Sequence, residues 1–430
     1  MEKELIRQML LEFEERGLPK VIERDLVLPE ELFTGIIRKA VIITGPRRAG
    51  KTYYLYQIAT KLKGKNILYF NFEDERVIQP TTKDLTLLLE TYQELHPSVK
   101  LEDMYVLLDE IEHIENWEKF VRRIIEARAR VFITGSNSKL LAKEISTAMR
   151  GRSVSFRLNP LSFREFLKLN GINEDNNRIL YGSERFKALE LLEKYLKWGG
   201  FPEVTLAEDE RLKTSVLQEY LLTMMHKDVI GRYKVDNVLA LENLIKYMVS
   251  NISSQISFNK IEGWMDSIDI TVSRTTLIEY SKYLENALAF SFVSKFDRSL
   301  KAQTRSLPKV YTTDTGLHTA NSFKISHDLG RIAENAVYNH LAKDSKEIYY
   351  DSNGYECDFI LKENYQVTEA IQVCWKINEE TKPREIEGLA SAMKKFKLKK
   401  GKIVNWDYKG MEEKDGCKIE YITLLEFLLS

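Results

Sequence analysis

Eight residues, Gly45-Pro46-Arg47-Arg48-Ala49-Gly50-Lys51-Thr52, stand between the apolar run Val41-Ile42-Ile43 and a helical stretch at 52–63. They fit GxxxxGK[ST], a pattern whose order has a chemical reason, and both flanking elements that it requires are present. Glycines let successive backbone N–H groups curl around phosphate oxygens, and the helix that follows turns its positive end toward the anion. Lys51 then reaches the β- and γ-phosphates and Thr52 ligates Mg²⁺. Arg47 and Arg48 add two charges inside the loop, where phosphate contact and solvent exposure are both open to them.

A second group follows two βα units later. Tyr105-Val106-Leu107-Leu108-Asp109-Glu110 is an apolar strand ending in two acids. At that place Asp109 can hold the metal through water, and Glu110 can reach an attacking water as general base. The run Phe132-Ile133-Thr134-Gly135-Ser136-Asn137-Ser138 ends another strand in small polar residues. Asn137 or Ser136 is expected to orient the water or contact the γ-phosphate, with ordinary helix capping as the alternative.

These residues need a scaffold that brings strand ends together. Between about 38 and 158, short β-branched or apolar runs at Ala40 to Thr44, Asn66 to Phe70, Met104 to Leu108, Val131 to Thr134 and Ser153 to Leu158 alternate with helical stretches. That alternation predicts a parallel sheet covered on both faces. An amphipathic helix is expected before it at 2–16, with Leu5, Met9, Leu10 and Phe13 at helical spacing. From 160 to 230 the pattern is helical, broken by Trp198-Gly199-Gly200-Phe201-Pro202.

The chain of 430 residues has room for two to four domains, and 43% hydrophobic with 30% charged residues excludes a wholly disordered or collagen-like chain. Lys+Arg and Asp+Glu both number 64, so any basic surface must be local. Three cysteines without CxxC spacing and six scattered histidines point to neither a disulfide framework nor a zinc site. With no apolar run of about 18 residues and no signal-peptide pattern, a cytoplasmic protein without membrane contact is expected.

Residues 38–165 resemble the ATPase domain of the AAA+ type, with Walker A at 45–52, Walker B at 105–110 and a sensor-1-like strand end at 131–137. Almost the whole chain resembles a large archaeal and bacterial family of AAA-type ATPases, in which this domain precedes a winged helix and a restriction-endonuclease-like domain. Met149-Arg150-Gly151-Arg152, followed by Asn159-Pro160-Leu161-Ser162-Phe163-Arg164-Glu165-Phe166, matches a signature of that family. The resemblance implies that Arg150 or Arg152 acts as an arginine finger or sensor, neutralising charge on the γ-phosphoryl oxygens. It also implies a role near the adenine for Arg24.

Helical patterns at 238–252, 258–266 and 273–285 precede apolar runs at Ala289 to Phe296 and Lys309 to Thr313, the element order of a winged helix-turn-helix. Two uses are open. A DNA-binding module would contact phosphate through Arg298, Lys301 and Arg305, with Lys295 and Lys309 in the same basic patch. A protein-interaction module would suit the acidic Glu279 and Glu285 of the third helix.

For the C-terminal part the resemblance supplies Glu334 and Asp358 as the first two carboxylates of a nuclease-like metal site. The expected E-x-K is here Gln372-Val373-Cys374, which lacks the cationic lysine and marks the site as degenerate. Lys376, two residues on, is the expected displaced substitute if the strand continues.

The expected fold class is therefore α/β: an N-terminal helix and AAA+ P-loop domain at 1–165, a helical lid at 166–235, a winged helix-turn-helix at 236–322, and a degenerate restriction-endonuclease-like domain at 323–430. The expected activity is Mg²⁺-dependent ATP hydrolysis that rearranges these domains. Expected partners are nucleotide (ATP or ADP), DNA in one reading, and in the other a protein ligand of a STAND-like switch. A homo-oligomer follows if the arginine finger acts in trans.

Overall fold

The computed structural model describes residues 1–135, 149, 151–173, 175–323, 328–344 and 346–430. Asn137 and Arg150 lie outside the described residues. The chain divides into two compact units, Met1–Asn159 and Pro160–Ser430.

The first unit is built on five parallel strands, β1 (Ala40–Thr44), β2 (Asn66–Asn71), β3 (Met104–Asp109), β4 (Arg130–Gly135) and β5 (Ser153–Arg157), in the order β2-β3-β4-β1-β5. Side chains alternate along each strand, so a strand covered on both faces must be apolar throughout. In β1 every residue is buried. Ala40 and Ile42 share one core with the helices Lys3–Arg16, Thr82–Leu95 and Trp117–Glu126, while Val41 and Ile43 share the other with the helix Lys51–Lys61. Because all five strands run the same way, β1, β3 and β4 deliver their C-terminal ends to one edge of the sheet. In open parallel sheets of this kind, that edge is where ligands bind.

The second unit has two main cores. One gathers the helices between Pro202 and Ile230, the helices Val238–Ser250, Phe258–Asp266 and Arg274–Asn286, and an antiparallel sheet of β6 (Ser254–Gln255), β7 (Phe290–Val293) and β8 (Lys309–Thr312) in the order β6-β8-β7. The connection between β7 and β8 carries its own short helix, Leu300–Arg305. The other core joins the helices Phe163–Leu169, Asn176–Tyr181 and Arg185–Trp198 to the helix Leu329–Leu341 and a six-stranded sheet. That sheet comprises β9 (Glu347–Asn353), β10 (Tyr355–Glu363), β11 (Gln366–Val373), β12 (Lys400–Asn405), β13 (Gly410–Lys414) and β14 (Cys417–Thr423), ordered β13-β14-β12-β11-β10-β9. The helical stretch 166–235 thus divides between two cores at the Trp198-Gly199-Gly200 break, because its apolar residues up to Leu196 face the C-terminal elements. Among the described residues no helix is long and apolar enough to cross a membrane.

The break is held by Asp314. Its buried carboxylate accepts the Gly200 N–H at 2.7 Å and the Gly316 N–H at 2.9 Å. Burial pushes this carboxyl up to about 7, although the two N–H groups pull against the shift. An unfolded Asp titrates near ~3.9, so the folded state retains a proton that the unfolded state has released as pH climbs between the two values. Stability from this source is therefore full below the lower value and declines as pH rises to about 7. Thermal unfolding of the wild type should fall from pH 5 to pH 8 more steeply than that of Asp314→Asn, which cannot ionise. Equal slopes in the two proteins would contradict the assignment.

Candidate functional site

The loop between β1 and the helix Lys51–Lys61 opens on Gly45, where a Cβ would lie 2.1 Å from the Leu158 carbonyl oxygen, so no side chain fits there. Leu158 itself is fixed by its N–H, which donates to Thr44 O at 2.7 Å. Gly50 caps the helix with φ of +94°, a conformation that glycine alone adopts without strain. Arg24, buried, braces this turn: its guanidinium donates to Ala49 O at 2.9 Å and to Asn159 O at 2.6 Å. One of these contacts is with the loop backbone and the other with the segment that follows β5. Arg47 pairs with Glu73 at 3.1 Å, and Arg48, with φ of +66°, is exposed. Pro46 and Ala49 are buried in the loop.

Lys51 is buried, and its ammonium donates to Gly45 O at 3.2 Å and Pro46 O at 3.3 Å while lying 3.2 Å from Glu110 Oε1. Asp109 ends β3 with a fully buried carboxylate. Tyr69 donates to its Oδ2 at 3.1 Å, Thr134 donates to its Oδ1, and the Thr52 hydroxyl is also bonded to it. Burial raises its pKa, against the pull of those hydroxyls and of Lys51. Glu110 leaves the strand in the left-handed region, φ +52°, and its N–H donates to Thr134 Oγ1 at 2.8 Å. Burial lifts the Glu110 carboxyl to about 7 despite the Lys51 charge. Its Oε2 is buried without a hydrogen-bond partner among the described residues.

The structure thus brings Lys51, Thr52, Asp109 and Glu110 to one point, as their spacing predicts. It adds two residues that sequence reasoning passed over. Thr134 binds both acids, and Tyr69 binds one of them. Their roles depend on strand order: β3 lies between β2 and β4, with Leu108 beside Phe70 and Ile133. The alternation of runs gives no such order.

Arg152 lies apart from that point. It precedes β5, whose first residue, Ser153, stands beside Ala40 at the start of β1. The phosphate loop follows the other end of β1, about 17 Å away at ~3.3 Å per residue. Arg152 pairs there with Glu126 at 2.7 Å. In its own chain it lies away from the phosphate loop.

The C-terminal candidates do converge, although Lys309 and Lys376 stand elsewhere than the sequence suggests. Asp358 on β10 and Gln372 on β11 are joined by Asp358 N–H to Gln372 Oε1, 3.2 Å, and Asp358 Oδ2 accepts the Val373 N–H at 2.9 Å. Between Asp358 and Glu334 lies the ammonium of Lys309, from β8. Lys309 is only 1% exposed, so it belongs to no basic surface patch. Burial acts to lower its pKa, but the charges of Asp358 and Glu334 outweigh that and raise it well above the ordinary value. Strand β11 ends at Val373, so Lys376 is not on a strand face shared with Gln372; it is exposed. Among the described residues, no group of three or more His, Cys, Asp or Glu side chains is arranged to hold a metal.

The family described as AAA domain matches residues 37–167, and a domain of unknown function, DUF8612, matches 189–326. The chain is 35% identical over 403 residues to the uncharacterized protein MJ1544 of Methanocaldococcus jannaschii, covering 92% of this chain and 87% of that one. It is 28% identical over 388 residues to an uncharacterized protein of Haemophilus influenzae, covering 89% and 92%. Among solved structures, a Walker-type ATPase of Pyrococcus abyssi aligns at 11% identity with a TM-score of 0.45, covering 71% of this chain and 98% of that one.

Proposed function

This chain belongs to the family of the Methanocaldococcus jannaschii protein MJ1544 and carries an AAA domain at 37–167, and from that premise we propose that it binds ATP with Mg²⁺ and hydrolyses it. The observation that carries the reading is the meeting of Lys51, Thr52, Asp109 and Glu110 at the C-terminal edge of the parallel sheet. The hydroxyl of Thr52 and the carboxylate of Asp109 are hard oxygen donors already bonded to one another, which suits Mg²⁺. They would hold the ion, Asp109 through water, and the ion supplies positive charge to the β- and γ-phosphates. Lys51 exchanges its loop carbonyls and Glu110 for phosphate oxygens. Glu110, released from that pair, accepts a proton from the attacking water at its Oε2, which has no hydrogen-bond partner among the described residues. Thr134 keeps the two acids in register.

Hydrolysis serves DNA transactions in the reading we favour. The element order from Val238 to Thr312 supports a winged helix-turn-helix, and Arg298, Lys301 and Arg305 are exposed and form no ion pair among the described residues. Those three cations suit phosphate backbone contacts. The C-terminal sheet with Glu334, Asp358 and Gln372 is a nuclease-like fold retained for binding. A second reading, a STAND-like switch worked by a protein ligand, is favoured by the exposed Glu279 and Glu285 on the third helix of this module. Arg150, or Arg152 of another copy, is the candidate arginine finger under either reading.

Turnover measured at low and moderate salt, with and without single-stranded and duplex DNA, separates them. DNA binding through three to four phosphates should stimulate turnover at 50 mM salt and lose roughly tenfold or more in affinity by 200 mM. Turnover indifferent to DNA, with ADP retained through purification, would favour the protein-triggered switch.

A further inference from the structure

Three acidic side chains of the C-terminal domain, Glu334 on the helix Leu329–Leu341 and Glu356 and Asp358 on β10, converge on one buried point. Divalent metals sit at such points in enzymes that cleave phosphodiesters, since clustered carboxylates repel one another unless a cation lies among them. Here the point is occupied by the chain itself. Lys309 Nζ lies 3.0 Å from Glu334 Oε1, 2.6 Å from Glu356 Oε1 and 2.8 Å from Asp358 Oδ1, so its ammonium donates to Glu334 and Asp358 and is ion-paired with Glu356 as well.

The strand that brings Lys309 is fixed from both sides. Two residues on, and so on the same face of β8, Tyr311 donates to Glu334 Oε1 at 2.7 Å. Asn335, next to Glu334, mimics a backbone unit: its Oδ1 accepts the Thr312 N–H at 2.9 Å and its Nδ2 donates to Thr312 O at 2.9 Å. On the opposite side of the cluster, Gln372 spends its Nε2 on Glu385 at 2.6 Å and its Oε1 on the Asp358 backbone. Glu334, Asp358 and Gln372 are thereby held in place, while Glu356, which accepts from Gln255 Nε2 at 2.9 Å, forms the exposed rim of the cluster.

We infer that Lys309 is a built-in cation that takes the metal's position among Glu334, Glu356 and Asp358, so that this cluster is a clasp joining the three-stranded sheet to the six-stranded sheet and not a metal centre. The chemistry explains why the E-x-K lysine is dispensable: with an ammonium in the metal's position, there is no metal-activated water for it to assist. A divalent ion placed 2.0–2.6 Å from those oxygens would overlap an ammonium held there, and like charges at such range are strongly repelled. The inference is independent of what ATP hydrolysis drives.

It makes a gain-of-function prediction. In Lys309→Ala the three carboxylates lose their cation and a space opens among them, so the full-length, nucleotide-free variant should melt at lower temperature and recover several degrees in millimolar MnCl₂. Calorimetric titration should give about one additional Mn²⁺ per chain relative to wild type, lost again in Lys309→Ala/Asp358→Asn. Wild type should melt at the same temperature with and without MnCl₂. A folded Lys309→Ala that takes up no additional Mn²⁺ overturns the inference. Should Lys309→Ala not fold, wild type and Asp358→Asn decide: equal Mn²⁺ stoichiometry supports the clasp, and an ion held by wild type but lost in Asp358→Asn overturns it.

Discussion

Lys51→Ala will weaken ATP binding by about a hundredfold and bring hydrolysis to background. The magnitude follows from the loss of charge-assisted hydrogen bonds to phosphate, worth up to ~3 kcal/mol, at ~1.4 kcal/mol per factor of ten. The substitution also removes the partner of a buried carboxylate, since Lys51 and Glu110 face each other at 3.2 Å. Lost stability therefore has to be separated from lost binding. Lys51→Ala/Glu110→Gln removes both charges, and it should recover stability without recovering affinity. Fluorescent-nucleotide binding and thermal unfolding on the two variants make the distinction, and near-wild-type affinity in either would remove Lys51 from the site.

Glu110→Gln should behave in the opposite way. Gln keeps the shape of the side chain and the backbone N–H to Thr134, but it cannot accept a proton. Turnover should fall by ~10²–10⁴, the usual contribution of a general base. Binding should be equal or tighter, because Lys51 no longer has a carboxylate to leave before it meets phosphate. Equilibrium binding and steady-state turnover measured on the same preparation test this, and turnover within threefold of wild type would assign the base elsewhere.

The parts of the site that lie within one stretch of chain were legible in the sequence. The loop 45–52 and the pair Asp109-Glu110 carry their geometry locally: a strand, a turn that needs Gly45 and Gly50, and a helix. What was not legible depends on which strands are neighbours. Thr134 and Tyr69 reach Asp109 only because β3 lies between β4 and β2. Arg152 follows the loop in sequence order yet sits at the far end of the sheet, since β5 runs parallel to β1 and starts beside Ala40. Lys309 reads in sequence as one basic residue among several near a hairpin. Its burial arises from packing against carboxylates on Glu334 and Asp358, residues 25 and 49 positions away. Lys376 failed for a simpler reason, as the strand expected to carry it stops at Val373.

The way Phe163–Trp198 packs has a bearing on how the chain is made. Its apolar residues, among them Phe166, Leu192 and Leu196, are covered by Ile332, Phe359, Leu425 and Phe427 from the far end of the sequence, and Arg164 donates to the carbonyl of Leu429, 265 residues later. At a synthesis rate of ~5–20 residues per second, roughly 13–50 s separate the two ends. For that interval three apolar helices wait on the ribosome without their cover, while the parallel sheet before them and the core from Phe201 onward can already close. The stretch 163–198 is where nascent-chain aggregation should begin, and where a holding chaperone would find this protein.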